Sequence, residues 1–158
     1  MEQNEKLSMM GVGPRIALWT FPTLAISLVL AYSLPQFFRI RILPCYAHIW
    51  IGWILLSIGI IFYGATARTL LIGLKQNKLI TTGTYRLSQN PLYASLILFI
   101  IPAVSFLTAS WLVMLTSVVA YFAFKKYIQA EYDQLSRIFG EEYNEYRKKT
   151  REIIPLPK

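Results

Sequence analysis

Acidic residues are almost absent from most of this sequence of 158 residues, because every aspartate and glutamate lies near one end. No carboxylate occurs between Glu5 and Glu131, whereas the chain carries 16 lysines and arginines and a net charge of +8. This excludes a water-soluble enzyme built around paired acids. Cys45 and His48 are the single cysteine and the single histidine, so an internal disulfide or a cysteine-rich zinc site is also excluded. We therefore expect no metal centre.

Apolar residues are abundant, at 55% of the chain, and charged residues make up only 15%. Soluble domains have about 45–50% and about 25%, respectively. Three stretches contain no charged residue, namely 16–38, 42–67 and 87–124. Since a helix needs about 20 apolar residues to cross a bilayer, they predict four transmembrane helices, the last two forming a short hairpin. The predicted spans are 16–34, 48–66, 91–106 and 109–126.

The cationic residues predict the orientation of these spans. Of the 16 lysines and arginines, all but Arg39 and Arg41 fall on one side when loops are assigned alternately. Both termini are therefore predicted to be cytoplasmic, in a multi-pass protein whose positive charge faces lipid headgroups rather than nucleic acid. We favour a prokaryotic inner membrane over the endoplasmic reticulum. In a rival topology, 91–124 is a re-entrant hairpin that never reaches the far side.

The polar loop before the third span has the chemistry of a tight turn. Thr81-Thr82-Gly83-Thr84 favours a positive φ at Gly83 and exposed backbone N–H groups. Asn90-Pro91 then predicts a helix start, with asparagine as N-cap and proline in the first turn. The unpaired N–H groups at such a start attract a carboxylate or phosphate. A connector that merely re-enters the membrane fits the spacing equally well.

After the fourth span the sequence predicts a pair of amphipathic helices. Ile128, Tyr132, Leu135 and Phe139 recur at helical spacing, and Gly140 is placed to end the first helix. Glu131 lies on a different side of this helix from the apolar residues. A solvated surface glutamate is the simplest interpretation of its position. Together the chain is predicted to be one all-α integral membrane domain with a cytoplasmic C-terminal helical pair.

Two motifs extend this interpretation. The first runs from Leu79-Ile80 through Thr-Thr-Gly-Thr-Tyr85-Arg86 to Asn90-Pro91-x-Tyr93. The second runs from Glu131 through Phe139-Gly140-Glu-Glu-Tyr143-x-x-Tyr146 to Ile154-Pro155. In order and spacing they resemble the isoprenylcysteine carboxyl methyltransferase and phospholipid methyltransferase family of integral membrane enzymes. The resemblance covers about 77–155.

This resemblance implies S-adenosylmethionine bound at the cytoplasmic face, and methyl transfer to a lipid or lipid-like acceptor. The acceptor would be an isoprenylcysteine carboxylate, a phospholipid amine or a small thiol. Cofactor-binding segments would be 77–93 and 127–155, and no catalytic residue is assigned. By similarity the contacts are Asn77, Lys78, Leu79, Ile80, Tyr85, Asn90, Pro91, Leu92, Tyr93 and Glu131. The cofactor's positive end would suit the Glu131 carboxylate and tyrosine ring faces.

The chain departs from the family pattern at three positions. Gln89 stands where arginine is common, Tyr132 where a second glutamate is frequent, and Tyr127 where prenylcysteine enzymes have an arginine for the substrate carboxylate. Two alternatives remain open. One is an NADPH-dependent membrane enzyme of the steroid-reductase type, and the other is a binding or scaffold protein without turnover.

Overall fold

The computed structural model describes residues 11–44, 46–76 and 78–156, apart from the side chain of Leu74. Five helical segments follow one another, and no strand occurs within those ranges. We label them α1 (Gly13–Ser33), α2 (Pro35–Phe38), α3 (Ala47–Gln76), α4 (Pro91–Leu107) and α5 (Trp111–Lys149). A short 3₁₀ turn, Gly83–Arg86, lies in the loop between α3 and α4. The predicted all-α class is thus confirmed for the described residues.

Three helices are long and apolar enough to cross a membrane: α1, the Ala47–Gly73 part of α3, and α5. The fourth predicted span corresponds to the first half of α5, which continues into the polar region and has a kink at Gly140, where φ is 53°. The third corresponds to α4, which is shorter and spans about 25 Å at 1.5 Å per residue. A tight turn at Thr108 and Ala109 joins α4 to α5, with Ala109 at a φ of 49°. This is the predicted hairpin turn.

The helices pack as two antiparallel pairs that share one interface. α1 lies against α5, where Ser27 Oγ is 3.4 Å from Thr116 Oγ1 and Trp19 Nε1 donates to Tyr127 Oη at 3.1 Å. α3 lies against α4, and α4 in turn packs on α5. The spatial order is therefore α1, α5, α4, α3. Both α1 and α4 therefore pack on α5, and a gap remains between α1 and α4.

Small residues spaced by seven let α3 approach its neighbours closely. Gly52, Gly59, Thr66 and Gly73 are all buried on one face of α3. A Cβ added at Gly59 would lie 2.8 Å from Ile100 Cγ1, so the helices touch at backbone distance. Further along, Thr66 Oγ1 bonds Thr84 Oγ1 at 2.8 Å. The same face thus anchors first α4 and then the loop.

Helix α4 is irregular where it faces the gap between α1 and α4. Ser95–Ile100 forms a π-helical segment between two α-helical pieces, which the sequence did not predict. Ser95 Oγ bonds the carbonyl of Leu92 inside this turn. Such wide turns in helices frequently occur at functional sites. Here the wide turn supplies part of a cavity wall.

Candidate active site

Two adjoining cavities lie around the start of α4. The first, which we call the loop cavity, has a volume of about 100 Å³ and lies between the loop before α4 and the polar half of α5. Its polar wall is rich in amide and phenol groups. It is lined by Gly11, Leu70, Lys78, Leu79, Ile80, Tyr85, Gln89, Asn90, Glu131, Tyr132, Gln134, Leu135, Phe139, Tyr143 and Tyr146.

The second cavity, which we call the helix cavity, has a volume of about 390 Å³ and fills the gap between α1 and α4. Its walls are largely apolar. From α1 come Gly13, Ile16, Ala17, Thr20, Phe21 and Leu24; from α4 come Pro91, Leu92, Tyr93, Leu96, Ile97, Ile100, Ile101 and Val104. Phe21 and Leu96 are also exposed on the outer surface, at 68% and 38%. The helices therefore do not fully enclose this cavity.

A common wall separates the two cavities. The residues that line both are Gly11, Leu70, Tyr85, Gln89, Asn90 and Glu131. Among the described residues of this wall, Glu131 alone is charged. A ligand in either cavity would thus meet the same carboxylate.

Glu131 is held at this wall by the residues that precede α1. The backbone N–H of Val12 donates to Glu131 Oε2 over a long 3.5 Å, and a Cβ at Gly11 would come within 2.7 Å of the same oxygen. Burial raises the pKa of the Glu131 carboxyl above its usual value, and the Val12 bond offsets part of this rise. A cation placed beside Glu131 would stabilise its charged form. The solvated-surface interpretation of Glu131 is therefore wrong.

Tyr85 is positioned by the 3₁₀ turn and by the C-terminal half of α5. Gly83 opens the turn with a φ of 63°, which confirms the predicted positive φ. Tyr146 Oη donates to the Tyr85 carbonyl at 2.6 Å. Burial, with Glu131 nearby, raises the pKa of the Tyr85 phenol well above 10. The phenol therefore stays neutral and presents a donor and a ring face.

Asn90 precedes α4 at the N-cap position, as predicted, but its side chain makes no cap hydrogen bond. Instead, Asn90 Nδ2 donates to Tyr132 Oη at 2.6 Å and to the Glu152 carbonyl at 2.9 Å. The Asn90 backbone N–H is used by Ser88 Oγ at 3.1 Å. Ser88 therefore satisfies the Asn90 N–H, so this group is not among the unpaired N–H groups predicted at the start of α4.

Aromatic rings of α5 complete the loop cavity. Tyr132 and Tyr143 are buried, and the Arg147 guanidinium stacks over both rings, with centroid distances of 4.7 and 5.7 Å. The Tyr143 hydroxyl is buried without a hydrogen-bond partner among the described residues. Since buried hydroxyls normally have partners, a ligand of this cavity could supply the missing one.

The predicted site residues come together around these cavities. Lys78, Leu79 and Ile80 line the loop cavity. Pro91, Leu92 and Tyr93 line the helix cavity, while Tyr85, Asn90 and Glu131 line both. Asn77 lies outside the described residues.

Sequence reasoning missed the contribution of α1. Its cavity-lining residues include Gly13, Ala17, Thr20 and Leu24, which share one helical face, and three of the four are small. The spacing of these small residues could have indicated a cavity-lining face on α1, although no sequence motif includes them.

The fold and the cavities define an all-helical integral membrane protein with a charged polar site beside an apolar one. Residues 40–142 match the phospholipid methyltransferase family, and the chain belongs to this family. The match confirms the resemblance seen in the sequence. No curated protein and no solved structure matches the chain. The family consists of methyltransferases that act on lipid-like substrates, so the chain is a membrane methyltransferase by family.

Proposed function

We propose that the protein transfers a methyl group from S-adenosylmethionine to a lipid or lipid-like acceptor where the two cavities meet. The observation that carries this proposal is the common wall, because Tyr85, Asn90 and Glu131 face both cavities. A cofactor in the loop cavity and an acceptor in the helix cavity would meet there. Holding two reactants in such a geometry can supply about 7–11 kcal/mol of the barrier.

The loop cavity has groups that fit the cofactor. When bound, S-adenosylmethionine supplies a methyl group activated by a positively charged sulfur. Glu131 would hold its positive end, the Tyr85 ring would face it, and the unpartnered Tyr143 hydroxyl would bond its polar groups. The cavity is smaller than the 300–1,000 Å³ usual for ligand sites. We therefore expect its wall to move outward on binding.

The helix cavity fits an acceptor with an apolar body. Phe21 and Leu96 line it and are also exposed, so the acceptor would enter sideways from the bilayer past these two residues. Among the described residues lining it, Glu131 is the one charged group, and no cation is present to hold an anion. An anionic acceptor beside Glu131 would be repelled. An amine or thiol acceptor is therefore favoured over a carboxylate.

We further propose that the chain crosses the membrane four times with both termini in the cytoplasm. α4 is short for a span, since about 25 Å must cover a hydrocarbon core of about 30 Å. Local thinning of the bilayer or displacement of its end residues would accommodate this difference. Labelling of a cysteine at the exposed Thr108, with Cys45 replaced by serine, tests the proposal. Protection from reagents on both sides would refute the four-span topology.

Titration calorimetry in detergent tests the choice of cofactor. The purified protein should bind S-adenosylmethionine and not NADPH; binding of NADPH alone would favour a reductase. A second assay follows labelled methyl groups into lipids extracted from native membranes. Cofactor binding without any methyl transfer would favour the binding or scaffold protein.

A further inference from the structure

A hydrogen-bond network joins the C-terminal segment to the loop cavity. Tyr132 Oη donates to Glu152 Oε1 at 3.2 Å, and Asn90 Nδ2 donates to Tyr132 Oη at 2.6 Å. The other carboxylate oxygen of Glu152 pairs with Lys125 Nζ at 2.7 Å. Glu152 itself does not line either cavity. It reaches the site only through Tyr132 and Asn90.

The chemistry of these groups fixes the direction of every bond. The Glu152 carbonyl can only accept, so the nitrogen of the Asn90 amide must face it. An ionised carboxylate can also only accept, so Tyr132 must donate to Glu152 and accept from Asn90. Both N–H groups of Asn90 are then used. Oδ1 is left as the polar atom that Asn90 can offer to a ligand.

The Glu152 carboxylate sets the direction of the Tyr132 bonds, while the Glu152 backbone carbonyl sets the orientation of the Asn90 amide. Lys125 Nζ lies at ion-pair distance from the other oxygen of this carboxylate. Tyr132 stands where the family frequently has a second glutamate, so this position carries no carboxylate. Glu152 therefore brings a negative charge to Tyr132 from a position 20 residues further along the chain.

The attachment of the C-terminal segment does not depend on this carboxylate. Gln89 N–H donates to the Arg151 carbonyl at 2.8 Å, and Ser88 Oγ donates to the Glu152 carbonyl at 3.1 Å. Ile153 is buried beside them. These contacts remain when only the Glu152 side chain is changed, so its role can be separated from that of the segment.

We propose that Glu152 is a positioning residue that acts through Tyr132 to hold Asn90 with Oδ1 turned toward a hydrogen-bond donor of the bound cofactor. This proposal rests on the proposed function for its ligand. In Glu152→Gln, Lys125 favours the amide oxygen, so the amide nitrogen faces Tyr132 Oη. Two donors then share the acceptor side of one hydroxyl, so the bond from Asn90 to Tyr132 weakens and the Asn90 amide is held mainly by the Glu152 carbonyl.

The first test needs no cofactor. In protein labelled with ¹⁵N-asparagine, the side-chain amide signals of Asn90 should shift in Glu152→Gln and in Tyr132→Phe. They should stay in place in Glu142→Gln, a control on an exposed glutamate outside the network. Unchanged Asn90 signals in both network variants would refute the proposal, whether or not the protein binds a cofactor.

The second test measures S-adenosylmethionine affinity by calorimetry. Glu152→Gln should weaken binding about three- to tenfold, the loss of one neutral hydrogen bond. Glu152→Asp, which keeps the charge, should recover part of it. In an Asn90→Ala background the Glu152→Gln loss should vanish, because the effect passes through Asn90. An equal loss in both backgrounds would overturn the proposal, and absence of binding in the wild type would instead refute the proposed function.

Discussion

The two cavities are built by different forces although they share a wall. The loop cavity is held by directional bonds, such as those from Tyr146 Oη to the Tyr85 carbonyl and from Asn90 Nδ2 to Tyr132 Oη. The helix cavity is shaped by apolar contacts and by the spacing of small residues, with hydrogen bonds at few points between α1 and α5. Buried donors must find acceptors, so hydrogen bonds restrict the wall of the loop cavity more than apolar contacts restrict the wall of the helix cavity.

This difference indicates how the site can vary. A side chain of another size changes the volume of the helix cavity without leaving a polar group unpaired. A change in the loop cavity breaks a bond instead. We therefore expect the cofactor side to be intolerant of substitution and the acceptor side to be adjustable.

The largest expected effect comes from a change in the common wall between the two cavities. Glu131→Gln removes a charge-assisted contact worth about 1.5–3 kcal/mol. S-adenosylmethionine affinity should fall about ten- to hundredfold as measured by titration calorimetry. Asp133→Asn is the control, since Asp133 is exposed and its carboxylate accepts a hydrogen bond from Gln129 Nε2, outside both cavities. Equal affinity in wild type and Glu131→Gln would remove Glu131 from the site.

The second largest effect is expected from the contact between α3 and α4, which supports one wall of the helix cavity. A Cβ at Gly59 would overlap Ile100 and Phe99, so Gly59→Ala should destabilise the fold by about 1–3 kcal/mol. Thermal unfolding in detergent measures the loss. Gly64→Ala is the matched control on the same helix, because nothing lies within 4 Å of its added Cβ. If the two variants melt alike, the close α3–α4 approach is not required.

The pH dependence sharpens the role of Glu131. Burial raises the pKa of Glu131 in the folded protein above its ordinary value of 4.5. Between 4.5 and the folded pKa, the folded protein therefore keeps a proton that the unfolded chain has lost. The free energy of unfolding without ligand should fall as pH rises through this window. Cofactor binding needs the charged form, so affinity should rise about tenfold per pH unit over the same window. Calorimetry and melting curves should thus show opposite trends. Both trends should disappear in Glu131→Gln.

A change inside the helix cavity should affect the acceptor alone. Ala17→Phe fills space between α1 and α4, and we expect the acceptor KM to rise by about tenfold. S-adenosylmethionine affinity should not change. Leu18→Phe is the control, because Leu18 is 74% exposed and points away from the cavity. A parallel loss of cofactor affinity in Ala17→Phe would contradict the division into two sites.

Much of this architecture could be predicted because it depends on local sequence. Charge-free stretches predicted the apolar helices, and Gly83 and Gly140 were found with positive φ values of 63° and 53° where turns were expected. The motif around Asn90 and Glu131 predicted the family. Each of these depends on residues that are near one another in the chain.

Long-range contacts could not be predicted in the same way. Val12 meets Glu131 across 119 residues, and no local pattern specifies that α1 rather than α3 lies against α5. The burial of Glu131 and its raised pKa follow from that pairing. The rotation of Asn90 away from its helix depends equally on Tyr132 and on the Glu152 carbonyl, 42 and 62 residues further along.

The sequence by itself determined which segments are helical and apolar, where the turns lie, and which residues carry the family motif. Only the tertiary structure decided that a single carboxylate would serve two cavities. Helix formation and apolar burial follow from composition and periodicity over about 20 residues. The position of a charge relative to a cavity depends instead on how four helices pack, and that choice is made by side-chain shape over the whole chain.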